Sequence, residues 1–339
     1  MLFCIIMLLG GSVFLYTSGQ QAGVIDVSAD SETMVYPCGF PVGIYLRTKG
    51  VMVIGTAQIP DANGNMHEPA AGSIVSGDYI LSMNGEGIES KEDFQEMLNW
   101  YGENPVTLEI EREGQSFLLS VQAVRGTDGN YRLGIWVKDS IQGLGTVTYL
   151  TLNGEFGALG HGIHDSETNE LIDIAKGSVY NTNIVGIQKG VKGEPGGLEG
   201  VIIYRSSNKL GVIDDNTENG IHGSISDVEK ICEDMEPVEI CKKDDIQLGK
   251  ASILCCVNGT VEEYEIRIKN TDSYAKDANK GIIIEVTDEK LLELTGGIVQ
   301  GMSGSPILQN GKIVGAVTHV LVNDPTRGYG IFIEDMLKQ

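Results

Sequence analysis

The chain has 339 residues, 41% of them hydrophobic, which is enough for two domains and a sizeable core. Its 47 acidic residues against 24 basic ones give a formal charge of −23. That balance argues against nucleic acid as a partner, because phosphate binding needs a basic face.

Forty-five glycines and only 6% aromatic residues predict many turns and short strands, a mainly β chain with minor α content. In chain order, residues 2–16 form an apolar run without charge. Such a run reads as an export signal, and residues 1–20 are taken as a signal-anchor that holds the chain to the membrane. A cleaved signal peptide and a buried core strand are the alternatives. No Lys or Arg precedes the run, since the first basic residue is Arg47, so charge does not set its orientation. No other stretch is apolar enough to span a bilayer. Residues 21–36 read as a polar linker.

Residues 37–125 carry the first folded unit. Gly50 to Gly55 reads as a strand, Tyr79 to Met83 as another, and Asn84-Gly85 as a tight turn. Ser90 followed by Asp93 reads as a helix start, with Phe94, Met97, Leu98 and Tyr101 on one face. Val106–Arg112 and Phe117–Val121 form a hairpin about Glu113-Gly114. Pro69-Ala70-Ala71, Gly77-Asp78-Tyr79-Ile80 and Asn84-Gly85, with the helix and hairpin in this order, resemble a bacterial PDZ domain. In such domains a peptide adds as a strand to a sheet edge and its carboxylate meets backbone N–H groups. Phe40, Pro41, Val42, Gly43 and Ile44 are read either as that carboxylate loop or as the start of a strand.

Residues 130–339 alternate short strands with glycine turns, as in a β-barrel or sandwich. Two short helices are expected, one from about Asp288 to Leu294 and one from Glu334. Five of the six cysteines lie outside the apolar run, and none forms a Cys-x-x-Cys pair. Buried free thiols are expected, with a Cys232–Cys241 disulfide possible in an exported chain.

Gly301-Met302-Ser303-Gly304-Ser305-Pro306 sits between two apolar stretches. Glycines flanking a serine let the backbone turn sharply and bring N–H groups close to a bound carbonyl, as a nucleophilic serine requires. A plain strand-to-strand turn is the alternative. A base must come from five histidines. His67 lies in a polar loop, His222 in an acidic one, and His319 follows a strand and reads as structural or pocket-lining. His161, between two glycines after an apolar strand, has the uncrowded setting of a general base. A structural histidine, or a metal cluster with His164 and Asp165, are the other readings.

The Gly301–Pro306 motif is followed by Asn310-Gly311-Lys312, Gly315 to Val320, Asn323 to Thr326 and Gly328 to Ile331. This set, together with Ala158-Leu159-Gly160-His161-Gly162, resembles the SpoIVB peptidase family, the stage IV sporulation serine peptidases of endospore-forming bacteria. The order of apolar segment, PDZ domain and peptidase is also theirs. The resemblance implies a trypsin-like β-barrel-type serine peptidase domain over residues 130–339, without cofactor or metal. It implies Ser303 as nucleophile, His161 as general base and Asp288 as the third member, although Asp288 also suits a helix N-cap. By likeness to the Gly-Asp-Ser-Gly-Gly-Pro of trypsin-like enzymes, the N–H groups of Gly301 and Ser303 would form an oxyanion hole. Met302 and Ser305 are departures from that pattern. The family implies export to the space between forespore and mother-cell membranes. Its substrates there would be a membrane-anchored regulator of an intramembrane protease and the chain's own N-terminal region. The competing reading is a PDZ adaptor fused to a peptidase fold that no longer cuts.

Overall fold

The computed structural model describes residues 34–338. The expected signal-anchor, the linker up to residue 33 and the self-cleavage region lie outside the described residues. Among the described residues no helix is long and apolar enough to cross a membrane.

The principal strands, in chain order, are β1 (Met34–Pro37), β2 (Pro41–Thr56), β3 (Tyr79–Met83), then helix α1 (Lys91–Tyr101), β4 (Val106–Arg112), β5 (Gln115–Val121) and β6 (Ile135–Thr151). There follow β7 (Glu155–Ala158), β8 (Ile174–Gln188), β9 (Gly197–Ile202), β10 (Lys209–Thr217) and β11 (Gly220–Ile225). The last group is β12 (Gly249–Cys256), β13 (Val261–Thr271), β14 (Ile282–Val286), helix α2 (Glu289–Thr295), β15 (Pro306–Gln309), β16 (Lys312–Leu321) and β17 (Asp324–Phe332).

Two sets of antiparallel pairings each close on themselves. The first runs β2–β6–β7–β11–β10–β8 and back to β2. The second runs β12–β13–β14–β17–β16–β15 and back to β12. Closure leaves neither ring an edge strand, and inward residues alternate with outward ones along each strand. The first ring is filled by Val42, Ile44, Leu46, Val147, Leu150, Phe156, Val179 and Ile213. The second is filled by Ile253, Tyr264, Ile266, Ile284, Ile307, Val314 and Val317, among others. The described chain is thus mainly β, with two closed six-stranded rings.

The PDZ-like unit is inserted into the first barrel. β2 begins in the barrel, where Val42 to Thr48 pair with β8, and ends in the insert, where Val51 and Met52 pair with β3. β6 returns the same way, Ile135 to Lys138 against Thr56 to Met52 and then Ser140 to Thr146 against Arg47 to Pro41. A separate core of Val51, Ile74, Ile80, Phe94, Leu98, Leu108 and Ile110 fills the insert. Its helix is capped as expected, with the Ser90 side chain accepting from the Asp93 N–H at 3.0 Å.

This arrangement corrects the reading of Phe40, Pro41, Val42, Gly43 and Ile44 as a carboxylate-binding loop. Pro41 to Ile44 pair with Thr146 to Gly143 of β6 on one side, and Val42 to Ile44 pair with β8 on the other. Phe40 packs against the barrel core, and its carbonyl accepts the Val147 N–H. With a strand on each side, Val42 to Ile44 have no open edge for a peptide carboxylate.

The described cysteines are free and buried. Cys232 belongs to the first barrel's core and Cys241 to the second's, so the structure does not pair them.

Candidate active site

The serine motif turns between α2 and β15, on the second barrel. Gly301 has φ 96° and Gly304 φ 95°, which favour glycine over any L side chain. A Cβ on Gly304 would stand 2.1 Å from the Thr146 carbonyl oxygen. The two glycines are therefore dictated by backbone geometry and close approach.

Every carbonyl from Gln300 to Gly304 has a hydrogen-bond partner. Gln300 accepts from the Leu198 N–H at 2.8 Å, Met302 from the Ser305 N–H at 2.9 Å and Ser303 from the Thr146 N–H at 3.2 Å. Gly301 accepts from Thr146 Oγ1 and Gly304 from Thr148 Oγ1, both at 2.7 Å. A trans peptide points its N–H away from the preceding carbonyl. Anchoring Gln300 and Met302 thus aims the N–H groups of Gly301 and Ser303 the opposite way, and neither donates to any group among the described residues. Both residues are half-buried.

Ser303 is half-buried, and its Oγ donates to the Thr318 carbonyl at 2.7 Å. Ser305 is fully buried and its Oγ has no partner. Of the two serines, only Ser303 stands where a substrate can meet it.

His161 comes from the first barrel, in the loop after β7. Leu159 and Gly160 take positive φ there, 70° and 71°, which folds the loop over the second barrel. A Cβ on Gly160 would lie 3.1 Å from Thr318 Cγ2, and a Cβ on Gly304 would lie 2.6 Å from the Leu159 nitrogen. The structure therefore brings the His161 loop onto the serine turn and onto Thr318, whose carbonyl holds Ser303. No hydrogen bond joins the two side chains in this rotamer; Ser303 Oγ must leave the Thr318 carbonyl to reach the imidazole.

His161 Nδ1 lies 2.9 Å from the Gly162 carbonyl oxygen. A carbonyl only accepts, so Nδ1 carries the proton and Nε2 keeps its lone pair, the tautomer a general base needs. Burial lowers the His161 pKa, with a smaller push from His164, against the opposing effect of the Gly162 bond. The ring is thus neutral and basic at neutral pH.

Asp288 is the correction at this site. Its carboxylate accepts the Leu291 N–H at 3.0 Å, capping α2, and the Glu265 N–H at 3.3 Å. Ile282 at the near end of β14 pairs with Gly330, beside β16; Asp288 lies at the far end, about 20 Å further along by strand rise. The structure does not bring it to His161. A cap of this kind is worth about 1 kcal/mol to the helix that leads into the serine turn. Orientation of His161 falls instead to the Gly162 carbonyl.

His319, read as structural or pocket-lining, stands at this site, together with Asn216, which the sequence did not single out. The His319 ring lies 4.8 Å from that of His161, centre to centre, tilted by 35°. Desolvation, reinforced by the His161 imidazole, pulls the His319 pKa down to about 4. Asn216 holds the histidine loop with both ends of its amide, accepting from the Ile163 N–H at 2.8 Å and donating to the Ile163 and Ile172 carbonyls at 2.9 Å. An Asn in a strand is disfavoured unless its amide has such work, a signal the sequence did carry. His164 turns to Glu218, 3.4 Å away. Among the described residues no three His, Cys, Asp or Glu side chains gather as metal ligands.

A chain that turns a serine out of one closed barrel, beneath an imidazole loop from a second, is built as a serine peptidase of the double-barrel class. It belongs to the SpoIVB peptidase S55 family, whose model matches residues 129–337. That match begins beyond β2, so it leaves out one strand of its own first barrel.

Among solved structures, the chain is similar to the PDZ domain of an SdrC-like protein from Listeria monocytogenes, at 19% identity and a TM-score of 0.22 over 26% of this chain and 87% of that one. The inactive form of the Rv3671c protease matches at 12% identity and a TM-score of 0.30, covering 58% and 81% of the two chains. The HtrA-type protease AlgW with a decapeptide matches at 9% and 0.34, covering 89% and 63%. No curated protein matches the chain.

Proposed function

We propose that this serine peptidase is an exported, membrane-anchored endopeptidase of sporulation signalling. It cuts the extracytoplasmic part of a membrane-anchored regulator, and its own N-terminal region, in the space between the forespore and mother-cell membranes. The sporulation role is taken from the family; the cutting role rests on one observation, the two unengaged N–H groups of Gly301 and Ser303 beside the His161 loop. In the reaction Ser303 Oγ attacks the scissile carbonyl and His161 Nε2 takes its proton. The Gly301 and Ser303 N–H groups receive the developing oxyanion, and His161 then protonates the leaving amine. An adaptor that no longer cuts has no need of so fully anchored a turn.

The PDZ-like insert recognises the target or the chain's own N-terminal region. Residues 135–138 of β6, within the insert, pair along one edge only, with β2. The other edge runs beside α1, whose Lys91 N–H donates to Asp139 and whose Gln95 and Asn99 hold Tyr131. A peptide strand joining β6 there is the mode of recognition that geometry supports.

The test follows the full chain by intact-mass measurement over time, with and without pretreatment by a fluorophosphonate. Loss of the N-terminal segment by cuts between residues 17 and 33, stopped by the pretreatment, is the expected result. Equal trimming in both samples would remove self-cleavage from the account.

A further inference from the structure

Thr146 touches both halves of the site at once. Its Oγ1 donates to the Gly301 carbonyl at 2.7 Å, and its N–H donates to the Ser303 carbonyl at 3.2 Å. Its own carbonyl accepts the Leu159 N–H at 3.1 Å, two residues before His161. The residue is only 2% exposed, so it takes no part in binding solvent or substrate directly. It lies on β6, a strand of the first barrel, whereas Gly301 and Ser303 belong to the second.

We infer that Thr146 is a positioning residue for the reaction, an inference that rests on Ser303 being the nucleophile. The Gly301 peptide group is the joint of the oxyanion site. Its N–H lies in the Gln300–Gly301 peptide plane, and a shift of the following Gly301–Met302 plane moves the Cα that carries it. The first plane is held by the Leu198 N–H on the Gln300 carbonyl; the second is held by the Thr146 hydroxyl on the Gly301 carbonyl and by the Met302 N–H on the Val299 carbonyl. Once that hydroxyl is lost the second plane hangs on a single bond, and Gly301, at φ 96° and without a side chain, offers little resistance to its shift. The bond from the Thr146 carbonyl to the Leu159 N–H meanwhile sets the height of the His161 loop above Ser303. One side chain and its backbone thereby hold nucleophile, oxyanion donor and base in a single register. A misplacement of about 1 Å is enough to slow such chemistry by roughly a hundredfold.

The experiment is saturation kinetics of fluorophosphonate labelling at Ser303 in the full chain, for wild type, Thr146→Val, Thr146→Ala and Thr146→Ser. Removing the hydroxyl in Thr146→Val is expected to slow the limiting labelling rate by about tenfold or more. The half-saturating concentration is expected to stay put, and Thr146→Ser to return the rate to near wild type. A purely structural role would lower the labelled fraction and the unfolding temperature without changing the limiting rate of the folded protein. A Thr146→Val protein that labels at the wild-type limiting rate overturns the inference, as does a Thr146→Ser protein as slow as Thr146→Val. Should Thr146→Val fail to fold, the Thr146→Ala and Thr146→Ser pair carries the same comparison, and equal rates there overturn it. A wild type that takes no label at Ser303 is a different failure: it removes the nucleophile assignment itself, and this inference with it.

Discussion

Ser303→Ala is expected to abolish peptide-bond cleavage, with a fall in kcat on the order of a million-fold on an unfolded protein substrate such as casein. The reason lies in which groups remain. The Gly301 and Ser303 N–H donors and the neutral His161 stay in place, since the turn is held through backbone carbonyls and not through the serine hydroxyl. KM should therefore change little while the chemical step is lost. The hydroxyl's one contact is to the Thr318 carbonyl. Losing it should cost about 1 kcal/mol of stability, visible as a small shift in thermal unfolding. A Ser303→Ala protein that still cuts casein at a measurable fraction of the wild-type rate would place the nucleophile elsewhere.

Gly304→Ala is expected to damage the fold and the activity together. Its φ of 95° strains an alanine by about 1–3 kcal/mol. A Cβ would also stand 2.1 Å from the Thr146 carbonyl oxygen and 2.6 Å from the Leu159 nitrogen. Both are backbone atoms, so relief requires the two barrels to part where they carry Ser303 and His161. Overpacking of that kind adds about 1–3 kcal/mol, against a total stability of roughly 5–15 kcal/mol for a typical domain. Urea unfolding should report a loss of several kcal/mol, and casein cleavage should fall with it. A Gly304→Ala variant within about 0.5 kcal/mol of wild type would contradict the packing described at this turn.

The serine turn and the histidine loop of the proposed pair were legible in the sequence because their constraints are local. Gly301 and Gly304 mark positive φ, and Gly160 and Gly162 mark the loop that carries His161. The helix after Ser90 was legible for the same reason: cap and apolar spacing lie within a few residues of each other. What was not legible depends on distant pairing. Phe40 to Ile44 looks like a loop entering a PDZ domain, yet β6 and β8 claim both sides of Val42 to Ile44, from far along the chain. The insertion of the PDZ-like unit into the first barrel was hidden likewise, because β2 and β6 are continuous strands that pass between two cores, whereas the sequence shows each only as separate short runs. Asp288 sits where the family resemblance puts the third member, but the same residue is the N-cap of α2, and sequence offers no way to choose between them. Thr146 stands in an ordinary β-rich run, Gly145 to Leu150, and carries no mark of the turn it holds.

The central claim, that Ser303 attacks with His161 as its base, is tested most directly by reacting the full chain with a fluorophosphonate and mapping the adduct by peptide mass spectrometry. The account predicts a single phosphonyl group on Ser303, absent from the protein that carries His161→Ala. An adduct on the buried Ser305, or equal labelling of Ser303 with and without His161, would contradict it.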